Sequence, residues 1–169
     1  TVTIAYTSIV IDWPTKDTVD ELVGVRVICL MGMNSAIYLL KELGLSTAKA
    51  EEIKRRLNLQ PMNVEAKKQV IALKYFATGE LTDEEYAKLI EGREKGFSTF
   101  MSYYILTAIA SRDEPLAIEL MKEYYGAMLD RGATSFWETI VGAEDFFGAG
   151  SLCHGWSALP VYWLDKLVK

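Results

Sequence analysis

Two segments near the end of the chain, GATSFWET at residues 132–139 and SLCHGWS at residues 151–157, guide the interpretation of the whole sequence. Glu138 directly follows two aromatic residues, and His154, the only histidine, lies two positions before Trp156. Residues 141–150 between the segments contain three glycines, which is typical of a loop. Because loops carry function when a rigid scaffold positions them, Glu138 and His154 are candidate functional residues. A plainer interpretation stays open, in which Phe136, Trp137 and Trp156 fill a core and Glu138 is a charge at a helix N-terminus.

Outward from these segments, hydrophobic periodicity predicts helices along most of the chain. About seven helices are expected, joined by short loops that favour helical hairpins. No sustained strand pattern occurs, although residues 1–10 suit an extended segment, so the sequence predicts an all-α fold in a single helical domain, residues 1–169. The helices are expected over residues 19–43, 47–57, from about 63 to 78, 82–91, 97–110, 115–130 and 159–168.

The first of these helices is apolar on nearly every side and is therefore expected to be buried on every side. Its uncharged run, residues 27–40, is about fourteen residues long, whereas a membrane-spanning helix needs about twenty. We therefore interpret it as a core helix that ends before Gly44, with Cys29 as a small buried hydrophobe.

Local signals predict several other helix ends. Thr82 and Glu85 have the spacing of a capping box, and Asn63 is expected to cap the helix that ends before Gly79. Pro115 suits the first turn of a helix, where its missing N–H group is not needed.

Composition narrows the function classes. The chain has 169 residues, half of them hydrophobic, and a net charge of −5 with no basic run, which argues against a nucleic-acid partner. Two dispersed cysteines and one histidine predict neither a disulfide framework nor a metal site, and no cofactor is expected. No signal peptide and no membrane association are predicted. Because the chain opens on Thr1, it is expected to be a fragment of a longer protein or a processed product, and the lack of a signal peptide in this sequence favours a cytoplasmic location.

The two segments also carry a resemblance. GATSFWE followed by SLCHGWSALPVYWL resembles the C-terminal part of bacterial α-L-rhamnosidase-like glycoside hydrolases, with weaker similarity at residues 95–100 and 11–14. The resemblance implies a six-hairpin (α/α)6 toroid, of which this chain is expected to form about half. It also implies that Glu138 is the general base. The general acid of that family lies in an earlier segment that has no counterpart here.

Inverting glycoside hydrolysis needs two carboxyl groups about 6.5–9.5 Å apart, one of which deprotonates a water while the other protonates the leaving oxygen. With Glu138 as base, His154 is implied to contact sugar hydroxyls. The other candidate sugar contacts are Asp12, Trp13, Trp137 and Trp156. Core packing remains the alternative for each tryptophan and is preferred for Trp163, while a turn-forming role remains the alternative for Asp12. Glu144 and Asp145 are interpreted as loop charges.

Two functions are consistent with these patterns. The first is inverting hydrolysis of a terminal sugar by an α-L-rhamnosidase-like enzyme, of which this chain lacks the general acid and is inactive alone. The second is a non-catalytic helical module for interaction or self-association. The high content of apolar residues predicts a homodimer through the helix faces that an incomplete toroid would expose.

Overall fold

The computed structural model describes residues 11–12, 19–58 and 62–167. These residues form helices, turns and loops without a strand, so the predicted all-α class is confirmed, while the extended segment expected at residues 1–10 lies outside them. The helices are α1 Val19–Glu42, α2 Ala48–Asn58, α3 Lys68–Thr78, α4 Asp83–Ile90, α5 Ser102–Ala110, α6 Glu114–Asp130, the four-residue α7 Asp145–Gly148, and α8 Leu159–Leu167.

The helices pack as successive pairs. Helix α1 contacts α2, α3 contacts α4, and α5 contacts α6, while α1, α3 and α5 lie side by side as one row. Helix α8 packs against α5. The result is three helical hairpins. The loop region after α6 leads to α8, which packs on the third hairpin.

The core lies between α3, α5 and α6. Ile71 of α3, with Ile105 and Ile109 of α5, is completely buried, and Leu120 of α6 is almost so. Trp163 of α8 is buried as predicted and donates its indole N–H to Thr107 Oγ1 at 3.2 Å. Apolar burial of this kind is the main contribution to the stability of the fold.

A buried carboxylate of α1 holds the segment before α3. The cap predicted at Asn63 is wrong. Asp20 of α1, whose exposed fraction is 2 %, accepts hydrogen bonds from the backbone N–H groups of Glu65, Ala66 and Lys67 at 2.7, 2.9 and 2.7 Å. These N–H groups belong to the segment directly before the helix and to its N-cap residue, Lys67, and the buried carboxylate gives them acceptors. Helix α3 begins at Lys68, five residues after the predicted cap.

Local signals at other helix ends are confirmed. Gly44 and Gly79 adopt φ values of +65° and +76° after α1 and α3, and Pro115 lies in the first turn of α6. Thr82 accepts a hydrogen bond from Glu85 N while the Glu85 carboxylate accepts one from Thr82 N, both at 3.2 Å.

We expect Thr82→Ala to lower the free energy of unfolding by about 1 kcal/mol, because the N–H group of Glu85 loses its acceptor. Urea denaturation followed by circular dichroism measures the change. Thr134→Ala, at an exposed loop position, is the control and should stay within about 0.5 kcal/mol of wild type. Equal unfolding midpoints for the two variants would contradict the capping role.

The predicted burial of α1 on every side is wrong. Leu22, Leu39 and Leu43 are 42, 56 and 70 % exposed, whereas Val27 and Leu30 are buried. Within the described ranges, one helical stretch, Asp20–Glu42, is long and apolar enough to cross a membrane by length and composition, and 22 % of its apolar window is buried. The row of hairpins covers one face of this helix only, so Cys29 is half-buried rather than buried. A helix that is apolar on all sides in sequence need not be covered on all sides, because apolar residues also occur at protein surfaces.

The helix predicted from residue 97 begins at Ser102 instead. Residues 97–101 are irregular or turn instead of helix, and they follow a turn region in which Gly92, Arg93 and Gly96 have positive φ. Side chains of α3 hold this turn region. Lys68 Nζ donates to the carbonyl oxygens of Glu91 and Arg93 at 2.7 and 2.6 Å, and Gln69 donates to that of Gly96 at 2.6 Å. These bonds set the path of residues 92–101, which form one wall of the site described next.

Candidate sugar-binding site

The two segments singled out in the sequence pair with each other in an extended, antiparallel arrangement. Glu138 N donates to Ser151 O at 2.8 Å, and His154 N donates to Phe136 O at 2.8 Å. Ser135 Oγ also donates to the carbonyl oxygen of Leu152. This pairing brings Glu138 and His154 to the same region, although sixteen positions separate them in the sequence.

Glu138 is held by both its main chain and its side chain. Its carbonyl oxygen accepts a hydrogen bond from Thr99 Oγ1, and Thr99 is buried. Its carboxylate Oε2 accepts from Ser151 N at 3.2 Å. The half-buried carboxylate is thereby fixed against the wall formed by residues 92–101.

Two glycines shape the loop between the paired segments. Gly142 has φ of +79°, and a Cβ atom there would lie 2.6 Å from Cε3 of Trp137. A Cβ atom at Gly150 would collide with the carbonyl oxygen of Gly142. The loop therefore closes tightly on itself and lies against the ring of Trp137, which leaves no room for a side chain at either position.

Within this loop, α7 is a turn rather than a regular helix. Phe146 and Phe147 have φ values of +50° and +60°, a left-handed conformation that costs bulky residues roughly 1–2 kcal/mol each. Asp145 Oδ1 accepts from Phe146 N at 2.9 Å. The turn directs Asp145 and Phe146 to the cavity described next and leaves Phe147 fully exposed.

These elements line an open cavity of about 710 Å³. A cavity of this size is typical of small-molecule sites. Its lining combines carboxylates, one lysine, the histidine and aromatic rings: Asp12, Glu94, Lys95, Phe97, Phe100, Tyr124, Glu138, Asp145, Phe146, His154 and Trp156, with small and aliphatic residues between them.

The aromatic rings form one side of the cavity. Trp156 is 69 % exposed and stands 5.2 Å from the ring of Phe100 and 5.9 Å from that of His154, between ring centroids. It is therefore not a core residue. Burial raises the pKa of Tyr124 well above its ordinary value, so its hydroxyl stays neutral and donates to Phe97 O at 3.3 Å.

The structure brings together four of the six residues selected from the sequence: Asp12, Glu138, His154 and Trp156. Asp12 accepts a hydrogen bond from Ser98 Oγ, which ties the start of the described chain to the cavity wall. Trp137 does not line the cavity, because it packs on Gly142 and the core. Trp13 lies outside the described residues.

Several lining residues were not selected from the sequence. Asp145, interpreted as a loop charge, lines the cavity, whereas its neighbour Glu144 is exposed and does not. Glu94 and Lys95 line it as well. For Lys95 a signal was present, because residues 95–100 carried part of the resemblance. In the part of the chain that the structure describes, no group of three or more His, Cys, Asp or Glu side chains is arranged to hold a metal ion.

Comparison of the chain with protein-family models, curated proteins and solved structures finds no match in any of the three.

Proposed function

We propose that this cavity binds the terminal sugar of a glycoside and that Glu138 is the general base of an inverting, α-L-rhamnosidase-like hydrolysis. The observation that carries the proposal is the convergence of Glu138, His154, Trp156 and Asp12 on one cavity. A carboxylate is the group that deprotonates the attacking water in inverting hydrolysis, and an imidazole and an exposed aromatic ring are groups that can bind a sugar.

Each group has a distinct role in the proposal. Ser151 N–H fixes Oε2 of Glu138, so Oε1 is the atom proposed to accept the proton of the attacking water. The His154 ring hydrogen-bonds a sugar hydroxyl, while the exposed face of Trp156 stacks on the apolar side of the pyranose ring. Such a ring contributes contact area at little entropic cost because it has only two side-chain torsions.

The mechanism also needs a second carboxyl group as general acid. The resemblance assigns the general acid to no residue of this chain. The cavity itself offers Asp145, Glu94 and Asp12, of which Asp12 already accepts a hydrogen bond from Ser98. We propose that the acid comes from outside this chain, which alone binds sugar but has little or no turnover, and we treat Asp145 as the competing assignment.

The hairpin row supports the proposed architecture. Helices α1, α3 and α5 lie side by side and each contacts the helix that follows it. A six-hairpin toroid repeats this unit six times, so the three hairpins of the described chain correspond to the proposed C-terminal half.

Sugar binding to the chain itself tests the proposal. We expect L-rhamnose or another monosaccharide to bind with a Kd on the order of 1 mM, measured by saturation-transfer NMR or calorimetry, and Trp156→Ala to weaken binding at least about tenfold. Phe147→Ala is the matched control, because Phe147 is exposed but does not line the cavity. Binding that is unaffected by Trp156→Ala, or no binding of any monosaccharide at about 50 mM, would refute it.

A further inference from the structure

The exposed face of α1 carries a regular apolar seam. Its positions alternate in steps of three and four residues, which keeps them on one side of a helix, as at the contact positions of a coiled coil. The seam consists of Leu22, Val25, Cys29, Gly32, Ala36, Leu39 and Leu43. Leu43 continues the helical path, since its N–H group donates to Leu39 O at 3.0 Å. None of these residues is buried within the chain.

No contact within the chain explains why the residue at the middle of the seam, Gly32, is a glycine. A Cβ atom at Gly24, the other glycine of α1, would collide with Ile11, so packing requires that glycine. A Cβ atom at Gly32 would meet no atom within 4 Å. A glycine inside a helix costs roughly 0.5–1 kcal/mol relative to alanine. A helix that approaches closely at this point would account for it.

The seam is also nearly symmetric about Gly32. Pairing it with an antiparallel copy of itself places Leu22 opposite Leu43, Val25 opposite Leu39, and Cys29 opposite Ala36. Large side chains then meet at the two ends and small ones at the centre. We propose that α1 docks on α1 of a second copy of this chain, antiparallel and with the two-fold axis beside Gly32.

Contacts on the other face of α1 favour a second copy over a membrane. Asp20 holds the start of α3, Asn34 Nδ2 donates to Ala77 O at 3.1 Å, and Val27 is completely buried. A spanning helix would have to leave these partners. The seam itself carries no charged residue, as is usual at the centre of a protein–protein contact.

The dimensions of α1 set the strength of this dimer. Its 24 residues extend about 36 Å, so a strip roughly 10 Å wide presents about 360 Å² in projection on each copy. With the side chains of both copies interlocked, the contact is close to the lower limit of about 1,000 Å² for specific interfaces. The dimer is therefore expected to be weak and reversible.

Sedimentation equilibrium of the chain across about 1–500 µM tests association. We expect wild type to dimerise and Gly32→Leu to raise the dissociation constant at least about tenfold, because a leucine at the centre separates the helices. Gly126→Leu is the matched control, since Gly126 is also a mid-helix glycine whose Cβ position is open, and its dimer should match wild type. Monomers throughout, or equal effects of the two leucines with both variants folded by circular dichroism, would overturn the proposal.

Disulfide cross-linking tests the orientation. In a Cys153→Ser background, we expect little cross-linking through Cys29 alone, because an antiparallel pair places Cys29 opposite Ala36. Adding Ala36→Cys should give a covalent dimer, and the two cysteines of one helix, seven residues apart, are too distant to bridge each other. Efficient Cys29–Cys29 cross-linking without Ala36→Cys would overturn the antiparallel pairing. Sedimentation of the chain with anionic phospholipid vesicles, unaffected by Gly32→Leu, would assign the seam to a membrane instead.

Discussion

Glu138→Gln is expected to lower kcat and kcat/KM together by about 10²–10⁴-fold, since a general base acts only in the transition state. The corresponding increase in the barrier is about 3–5 kcal/mol. The rate is to be measured with a chromogenic aryl glycoside in the glycosidase of which we propose this chain to be a part. Sugar binding should be nearly unchanged, because glutamine retains the shape of the side chain and an oxygen that accepts from Ser151 N.

Three further variants decide which carboxylate is the base. Glu144→Gln is the control, since Glu144 is exposed and outside the cavity lining, and should leave turnover unchanged. Azide is expected to restore part of the rate of Glu138→Ala and to give a product of inverted configuration. If Glu138→Gln kept normal turnover while Asp145→Asn abolished it, the base would be Asp145 and our assignment would be wrong.

Asp20→Ala is expected to lower the free energy of unfolding by about 2–4 kcal/mol, because three backbone N–H groups lose a charged acceptor and water replaces it only in part. For a chain of this length, the melting temperature should fall by about 5–15 °C. Asp20→Asn should cause most of the same loss, since an amide places N–H donors against the N–H groups of residues 65–67. Calorimetry and urea denaturation measure both variants.

The control for Asp20 is Glu65→Ala. Glu65 is exposed and its N–H group is one of the three that Asp20 accepts, so this variant removes a nearby surface charge but keeps the hydrogen bond. Its expected change is below about 0.5 kcal/mol. A similar melting temperature for Asp20→Ala and Glu65→Ala would show that the carboxylate does not stabilise the start of α3.

The parts of the fold that the sequence predicts are those with a local cause. Helix ends that depend on interactions within a few residues were found where expected, namely those marked by Thr82 and Glu85, Gly44 and Pro115. The start of α3 could not be predicted in this way, because the segment directly before it is held by Asp20, more than forty positions away. The burial of α1 depends equally on which helices pack beside it.

In the candidate site, too, features with a local cause could be predicted and features set by tertiary contacts could not. Glu138 and His154 lie in segments whose residue pattern is specific, and the pairing of Phe136 with His154 brings them together. The sequence leaves core packing and cavity lining open for both Trp137 and Trp156, yet Trp137 packs against Gly142 and Trp156 is exposed in the cavity. Their difference arises from the path of the loop, which two glycines and a left-handed turn determine and which periodicity does not encode.

The close approach of Gly142 and Gly150 makes the loop between them an exchangeable unit. Because its two ends meet at one point, a segment of different length or sequence can be inserted there without moving the pairing that positions Glu138 and His154. Asp145 and Phe146 reach the cavity from within this unit. Under the proposed function, the preference for a sugar can diverge through the loop while the paired segments stay constant, and loop grafting tests this by changing the cavity lining alone.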